Sequence, residues 1–202
     1  MKLYQLVNKF IFFWNYFKTQ IYYQFLFKEI RAKSVLFTPM RLMNPSSISI
    51  GNKTIIEKEA TLYSIDQFAN KRYNGKIFIG NKVYINHHFN VTCANCVDIK
   101  DDVLIAYNVS IFDFDHDYED INSNINKTDL IVKGPIIIGE KSWIGMNVAI
   151  LGKVTIGKHC IIGANSVVIK DIPDYSIAVG NPARVIKRFN LETGKWEKVA
   201  EL

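Results

Sequence analysis

The stretch IGEKSWIGMNVAILGKVTIGKHCIIGANSVV, residues 138–168, repeats with a period of six. The repeating aliphatic positions are Ile138, Ile144, Ile150, Ile156, Ile162 and Val168. Glycine follows four of them, at Gly139, Gly145, Gly157 and Gly163. A buried strand of period two gives no reason for glycine to recur every six residues. A chain that turns every six residues explains the spacing of the glycines, because we expect each corner to need a residue that can adopt positive φ.

The same phase extends toward the N-terminus. It includes Ile50, Ile56, Ile79, Ile85, Val91 and Val97, and after a slip of two residues it resumes at Ile99, Ile105 and Ile111. Six-residue strands that turn by about a third of a circle form a three-sided prism, with the repeating aliphatics on its axis and neighbouring coils paired in parallel. A β-sandwich is disfavoured, since its turns recur about every 8–12 residues. The sequence therefore predicts an all-β fold, a parallel β-helix.

Two interruptions of the repeat divide the chain further. They fall at 63–76 and 112–135, and we expect both to be loops, which in a solenoid often lie on the binding face. On this basis the chain divides into an N-terminal segment 1–45, a β-helix domain 46–182 that carries the insertion 112–135, and a C-terminal tail 183–202.

The N-terminal segment is aromatic and basic. Over residues 1–33, Phe, Tyr, Trp, Leu and Ile alternate with lysine and arginine, and the apolar runs are far shorter than the roughly 20 residues that span a bilayer. No small-residue signal-peptide cleavage site follows. We expect a helical segment that lies in a membrane interface or packs as a cap against the rest of the protein. The sequence leaves both possibilities open.

The composition of the chain excludes several classes. With 202 residues, 49% of them hydrophobic, the chain can bury a core and does not resemble a disordered protein. Three cysteines are too few for a disulfide-framed secreted domain, so we expect a reducing, cytoplasmic compartment. The formal charge of +6 is not clustered on one repeat face, which disfavours nucleic-acid binding.

Three motifs in the C-terminal half are specific: W-I-G at 143–145, I-G-A-x-S at 162–166 and G-N-P-A-R-V-I at 180–186. Through them, roughly residues 46–188 resemble the hexapeptide-repeat acyltransferases, a family that includes galactoside, maltose and xenobiotic acetyltransferases and bacterial polysaccharide O-acetyltransferases. The resemblance implies a left-handed parallel β-helix, a homotrimer, and acetyl-CoA in the groove between adjacent prisms. The left-handed turn is an exception to the usual right-handed crossover.

A single histidine stands in the second interruption, in IFDFDHDYED at 111–120. A hydroxyl has too high a pKa to attack a thioester unaided, so acetyl transfer needs a base that works near neutral pH. Histidine meets this requirement without heavy tuning. His116 also matches the catalytic histidine of the resembled family, and we predict that it is the general base. The alternative is that His116 is an ordinary loop residue without a catalytic role.

Acidic residues surround this histidine: Asp113, Asp115, Asp117, Glu119 and Asp120. Carboxylates close to the ring would favour its protonated form and oppose its role as a base. We therefore expect most of them to face solvent or the acceptor, while one orients the ring. The sequence does not indicate which one.

The resemblance implies further site residues. Asn86 matches a family asparagine that contacts the acceptor, and it is also compatible with a corner position of left-handed backbone conformation. Acetyl-CoA is expected against Trp143, Met146, Ala164, Lys170 and Arg184. The two basic side chains supply charge for an anionic nucleotide. Met146 replaces the serine often found at its position, and Trp143 is equally compatible with corner packing.

A metal site is not expected. CANC at 93–96 has C-x-x-C spacing and His87 and His88 are nearby, but no second pair exists. The zinc carbonic anhydrases of this fold use three histidines, two of them five residues apart, and position 121, five residues after His116, is isoleucine. We expect His159 to be an exposed corner residue.

These expectations combine into one function. We expect an acetyl-CoA-dependent O-acetyltransferase that acts on a sugar hydroxyl of a surface-polysaccharide or glycan precursor, in the cytoplasm or at the inner face of the membrane. No second domain for a nucleotide-sugar is evident, which disfavours the amino-sugar N-acetyltransferases that carry one. N-acetylation of an amino sugar and a non-catalytic β-helix scaffold remain alternatives.

Overall fold

The computed structural model describes residues 3–199 and shows a helix followed by a three-sided coil of parallel strands. The chain passes through three sheets in turn, which we name faces A, B and C. Face A contains β1 (Glu29–Ile30), β4 (Ile48–Ile50), β9 (Lys76–Ile79), β12 (Cys96–Ile99), β17 (Ile136–Ile138) and β20 (Val154–Ile156). Face B contains β2 (Val35–Leu36), β5 (Ile55–Ile56), β10 (Tyr84–Ile85), β13 (Leu104–Ile105), β18 (Trp143–Ile144), β21 (Ile161–Ile162) and β23 (Ser176–Gly180). Face C contains β3 (Arg41–Met43), β6 (Thr61–Ser64), β11 (Asn90–Cys93), β14 (Ser110–Phe112), β19 (Ala149–Leu151) and β22 (Val167–Val168).

Each coil pairs with the next in register. On face B, Ile105 pairs with Ile144 and Ile144 with Ile162, all in parallel. Strand pairing begins at Glu29, which pairs with Ser49, ahead of residue 46 where the six-residue phase becomes visible in the sequence. The repeat read from the sequence therefore corresponds to a stack of parallel coils.

The interior of the coil is a column of aliphatic side chains. The six positions that define the repeat at 138–168 are all fully buried, and so are the earlier positions of the same phase such as Ile85 and Ile105. Because each face contributes one such side chain per coil, every layer of the core is filled from three directions. The prediction that the repeating aliphatics point to the axis is confirmed.

The repeating glycines have a different cause from the one expected. Among residues 3–199, positive φ occurs at glycine only at Gly134, Gly152, Gly180 and Gly194, none of which is a repeat glycine. A Cβ on Gly139 would instead lie 2.5 Å from the carbonyl carbon of Gly157, and one on Gly145 would lie 2.7 Å from the backbone nitrogen of Ala164. The expectation of positive φ at these glycines is wrong; they are needed because successive coils approach too closely for a side chain.

Positive φ is found at other corner residues. At the corner between faces B and C, the B–C corner, φ is 59° at His88, 57° at Asn108, 56° at Asn147 and 59° at Asn165. Asparagine tolerates this conformation better than most residues. The three asparagine side chains also bond one another: Nδ2 of Asn108 donates to Oδ1 of Asn147 (3.0 Å), and Nδ2 of Asn147 donates to Oδ1 of Asn165 (3.0 Å). This corner is thus held by a ladder of amides.

Both interruptions of the repeat form hairpins at the corner between faces C and A, the C–A corner. The first contains β7 (Gln67–Phe68) and β8 (Lys71–Arg72), and the second contains β15 (Phe114–His116) and β16 (Leu130–Val132). They share a small satellite core formed by Ile65, Ala94 and Leu130 together with Phe68, Tyr73 and Phe114. The two hairpins are therefore packed against each other.

Helix α1 (Leu3–Ile21) covers the exposed edge of the first coil. Thr19 Oγ1 accepts the Leu36 N–H (2.9 Å), Asn15 Oδ1 accepts the Thr38 N–H (3.2 Å), and Gln20 Nε2 donates to the Ser34 carbonyl (3.0 Å). These bonds satisfy the edge backbone groups that would otherwise be free to pair with another strand. No helix within residues 3–199 has the length and apolar character needed to cross a bilayer.

The described part of the segment 183–202, residues 183–199, contains two strands. β24 (Ala183–Asn190) pairs antiparallel with β23, and β25 (Lys195–Lys198) pairs antiparallel with β24, so both extend face B. The last three residues of this segment, and the first two of the N-terminal segment, lie outside the described residues.

We expect Gly139→Ala to lower the free energy of unfolding by about 3 kcal/mol, because the added methyl group must displace the backbone of the next coil. The matched control is Gly194→Ala, where nothing lies within 4 Å and φ is +66°. Its cost comes from backbone conformation alone, about 1 kcal/mol. Urea unfolding monitored by circular dichroism measures both. A cost for Gly139→Ala no larger than that for Gly194→Ala would contradict the close-approach explanation.

Candidate active site

His116 lies at the end of β15, on the hairpin at the C–A corner. Its backbone is paired with Leu130 across the hairpin, and Leu130 is buried in the satellite core. The Tyr73 hydroxyl accepts the Leu130 N–H at 2.7 Å, which ties the first hairpin to the second. The position of His116 is therefore fixed by two insertions, although its side chain is exposed.

The imidazole of His116 contacts aromatic rings. Its centroid lies 5.4 Å from that of Phe68 and 6.4 Å from that of Phe114, both in edge-to-face geometry. No carboxylate of residues 3–199 forms an ion pair with the ring. Within residues 3–199 no acidic side chain contacts the ring as the expected orienting group; the ring packs on Phe68 and Phe114 instead.

The acidic residues near His116 are engaged with other partners. Asp115 pairs with Lys133 at 3.2 Å, and the Asp117 carboxylate accepts the Glu119 N–H. Hydrogen bonds from Ser123 and from the Asn122 N–H lower the pKa of Asp120. These side chains stabilise the turns of the insertion.

Asp113 is the exception to the expectation that most of these acidic residues face solvent or the acceptor. It is fully buried, and its carboxylate accepts the N–H groups of Ala94 (2.7 Å), Asn95 (2.8 Å) and Cys96 (2.9 Å). A carboxylate with three such donors is a strong structural lock. It holds the C–A corner of one coil against the base of the insertion that carries His116.

The CANC segment is the loop that Asp113 closes. Burial, and next the Asp113 charge, raise the pKa of Cys93, while burial and the nearby Asp98 raise the pKa of Cys96. All three cysteines are free. Raised thiol pKa values oppose both nucleophilic and metal-binding roles, and within residues 3–199 no three metal-ligating side chains come together.

Asn86 lies at the B–C corner, directly after β10. Its Oδ1 accepts the His87 N–H at 2.8 Å, and its φ is not positive. Beside it, the Tyr84 hydroxyl donates to Glu57 at 3.1 Å, and His87 Nε2 lies 4.0 Å from the same carboxylate. Burial, and then Glu57, raise the pKa of Tyr84. This polar group could not be predicted from spacing along the chain, because Glu57 belongs to the preceding coil.

Three of the expected donor-binding residues lie near this corner. Trp143 is in β18 with half of its surface exposed, and Met146 and Ala164 occupy equivalent corner positions on successive coils. Gly145 and Gly163 precede them, and each is packed against the following coil: an added Cβ would lie 2.7 Å from the backbone nitrogen of Ala164 and 2.6 Å from Cγ1 of Val179, respectively. Arg184 is exposed on β24 and pairs with Val179, also on face B.

Lys170 and His116 lie at the C–A corner, away from the B–C corner. Lys170 follows β22 at the C–A corner, the same corner that carries the His116 hairpin. Between the two corners runs face C; from Asn108 to Asp113 the extended chain covers roughly 16 Å. A single chain therefore does not bring His116 to Asn86, Trp143, Met146 and Ala164.

An open cleft of about 560 Å³ lies over face C beside the B–C corner. Its polar lining includes Arg41, Glu59, His88 and Asn108. His88 Nε2 lies 2.8 Å from the Glu59 carboxylate, and the His88 ring packs on Tyr107 with centroids 4.9 Å apart. The cleft can accommodate a polar molecule; Asn86 is not part of its lining but lies two residues before the lining residue His88.

Known proteins share this architecture. Residues 135–170 match the family model described as bacterial transferase hexapeptide (six repeats). Over 166 residues the chain is 33% identical to the galactoside O-acetyltransferase of Escherichia coli, a match that covers 81% of this chain and 80% of that protein. The chain belongs to the hexapeptide-repeat acyltransferase family.

Two solved structures superpose on the protein. A galactoside acetyltransferase in complex with coenzyme A gives a TM-score of 0.60 at 26% identity, covering 91% of this chain and 78% of that one. AntD of Bacillus cereus, an N-acyltransferase in complex with dTDP and coenzyme A, gives a TM-score of 0.69 at 21% identity, and the match covers 86% of this chain and 91% of that one. At that identity AntD shows the shared fold alone.

Other curated relatives match over a smaller part of their length. The match to Rv3034c of Mycobacterium tuberculosis, at 40% identity, spans 64% of this chain and 42% of that protein. The match to WbbJ of Escherichia coli, which is named for O-acetyl transfer in lipopolysaccharide biosynthesis, spans 61% of this chain and 66% of that protein at 36% identity.

We expect Asp113→Asn to lower the free energy of unfolding by about 2–4 kcal/mol, because an amide replaces a buried, charged acceptor of three backbone N–H groups. Asp115→Asn is the matched control two residues away; it loses only the exposed pair with Lys133 and should cost under about 1 kcal/mol. Denaturant unfolding of both variants gives the comparison. Equal costs would show that Asp113 is not a structural lock.

Proposed function

We propose that this protein is an acetyl-CoA-dependent O-acetyltransferase that acts on a sugar hydroxyl, with His116 as the general base. The observation that carries the proposal is the fixed placement of His116: an exposed imidazole, free of ion pairs within residues 3–199, on a hairpin held by Leu130 and Tyr73. A purely structural coil has no need for two interlocked insertions that present one histidine to solvent.

The proposed reaction is a direct transfer. A ring nitrogen of His116 takes the proton of the acceptor hydroxyl as its oxygen attacks the thioester carbonyl carbon. The carbon–sulfur bond then breaks, the acetyl group remains on the acceptor oxygen, and the coenzyme A thiolate recovers the proton from the imidazolium. The edge-to-face packing of the ring on Phe68 limits its rotation and supports the geometry that transfer needs.

Acetyl-CoA is proposed to lie along the B–C corner and face B. The pantetheine arm is proposed to pass the exposed side chains of Met146 and Ala164, beside the exposed ring of Trp143. Arg184 and Lys170 are exposed cations suited to the phosphates of the nucleotide. Because Lys170 lies at the other corner, it is assigned to the donor only in an assembly of more than one chain.

The acceptor is proposed to occupy the cleft beside Asn86. Its lining of Arg41, Glu59, His88 and Asn108 offers donors and acceptors to sugar hydroxyls. The relative with 33% identity is named for O-acetyl transfer to a galactoside, and WbbJ for the same chemistry in lipopolysaccharide biosynthesis. These names support a carbohydrate hydroxyl of a surface-polysaccharide or glycan precursor.

The proposal includes a homotrimer of left-handed coils. A cyclic arrangement in which the C–A corner of one copy meets the B–C corner of the next would bring His116 to Asn86 and to the donor residues. The separation of these residues in one chain supports it. The compartment is proposed to be the cytoplasm, which suits three free cysteines and a donor made there.

We expect His116→Ala to lower turnover by about 100- to 10,000-fold, the usual contribution of a general base, while assembly size and melting temperature stay unchanged. The matched control is His159→Ala, which removes an exposed histidine at an A–B corner. Coenzyme A release with a panel of sugars and amino sugars measures turnover. Alkali-labile acetyl product indicates an ester; alkali-stable product from amino sugars alone would contradict O-transfer, and an active His116→Ala variant would contradict the mechanism.

The shared site has its own test. His116→Ala and Ala164→Trp each inactivate one half of the site, so either variant alone should be inactive. Mixed trimers should recover about one quarter of wild-type activity, because each half is intact in half of the chains. A mixture with no activity would show that one chain contains the whole site.

A further inference from the structure

Helix α1 buries polar side chains and exposes apolar ones, which is the reverse of an ordinary surface helix. Its polar residues Asn15 and Thr19 are buried against the first coil. The side chains on the other side are apolar and exposed: Leu6 by 53%, Phe10 by 70%, Phe13 by 64% and Phe17 by 59%. At about 3.6 residues per turn these four lie on the side opposite Asn15. A helix in contact with water alone has the reverse pattern.

The exposed apolar surface extends beyond these four residues. Further exposed side chains of the helix and the turn after it are Leu3, Val7, Trp14, Ile21, Tyr22 and Phe25. A continuous apolar surface of this kind marks a contact site for a membrane or another macromolecule. It lies on the far side of α1 from the edge that the helix covers, so the fold of the chain itself is complete without it.

Charge distinguishes between the partners that could cover this surface. Residues 3–28 contain no aspartate or glutamate but include Lys9, Lys18 and Lys28. Two copies of the surface brought face to face would collect lysines with no acidic partner from the segment, which is unfavourable. An anionic surface would neutralise them. Phenylalanine, tyrosine and tryptophan beside lysine are the residues that favour the boundary between lipid headgroups and acyl chains.

We propose that α1 is an interfacial anchor that lies flat on a bilayer containing anionic lipid. Its 19 residues extend about 28 Å along the membrane plane, with the phenylalanine side chains at the level of the upper acyl chains and the lysines among the headgroups. Asn15, Thr19 and Gln20 keep their bonds to the first coil, so the anchor holds that end of the coil next to the bilayer. The inference stands whether or not the protein transfers acetyl groups.

Trp14 gives a direct readout of this contact. The chain has three tryptophans, Trp14, Trp143 and Trp196, so the double variant Trp143→Phe, Trp196→Phe reports on α1 alone. With vesicles of phosphatidylglycerol and phosphatidylcholine, we expect a blue shift of its emission and quenching by acyl-chain-brominated lipid. With phosphatidylcholine alone, we expect neither. No response to the anionic vesicles, or the same response to both kinds, would overturn the proposal.

Matched variants identify the surface. In the full-length chain, Phe10→Ser, Phe13→Ser, Phe17→Ser should reduce co-sedimentation with anionic vesicles at least tenfold. The control replaces three equally exposed apolar residues elsewhere, Ile121, Ile125 and Leu191, with serine and should bind like wild type. A triple Phe variant that binds the vesicles like wild type would overturn the proposal. So would one that still binds them but forms a smaller assembly in sedimentation velocity, because the surface would then be a contact between copies of the chain. Should that variant fail to fold, Lys9→Glu, Lys28→Glu tests the same contact through loss of the anionic preference.

Discussion

The close stacking of one coil on the next is the constraint on which the rest of this structure depends. Backbone hydrogen bonds such as that from the Gly145 N–H to the Ile162 carbonyl, 2.8 Å, join every coil to its neighbour. Where the backbones approach most closely, only glycine fits. The aliphatic column inside the coil stabilises the stack but does not set its spacing. Insertions are therefore confined to corners, and both large ones lie at the C–A corner.

The sequence predicts this fold well because its physical cause is periodic. A six-residue phase of aliphatics with glycine one place later requires turns at regular intervals, and the predicted core positions are buried. The conformational role of glycine was predicted wrongly, since residues such as Asn147 carry the positive φ instead. Asparagine recurring three places after the aliphatic, at Asn108, Asn147 and Asn165, was the available signal. The first coil was not predicted, because its strands at 29–43 lack the repeated glycine.

The candidate site was predicted in part. The interruption of the repeat identified the segment that carries His116, but not the aromatic packing on Phe68, which comes from the other interruption. The buried role of Asp113 was missed for a similar reason. Its partners are the N–H groups of residues 94–96, nearly twenty residues earlier in the chain, and no local pattern connects them. The parallel pairing of the coils follows from the six-residue spacing, but the side-chain contacts that join the insertions to each other and to earlier coils do not.

The proposed site residues are divided between the two ends of face C. One end carries His116 and Lys170, and the other carries Asn86, Met146 and Ala164, so the proposed chemistry depends on how copies of the chain meet. Calorimetric titration of acetyl-CoA into the purified protein tests this account most directly, because it requires no knowledge of the acceptor. The account predicts saturable binding of one acetyl-CoA per chain in a trimer. A folded, trimeric sample that releases no heat of binding would contradict it.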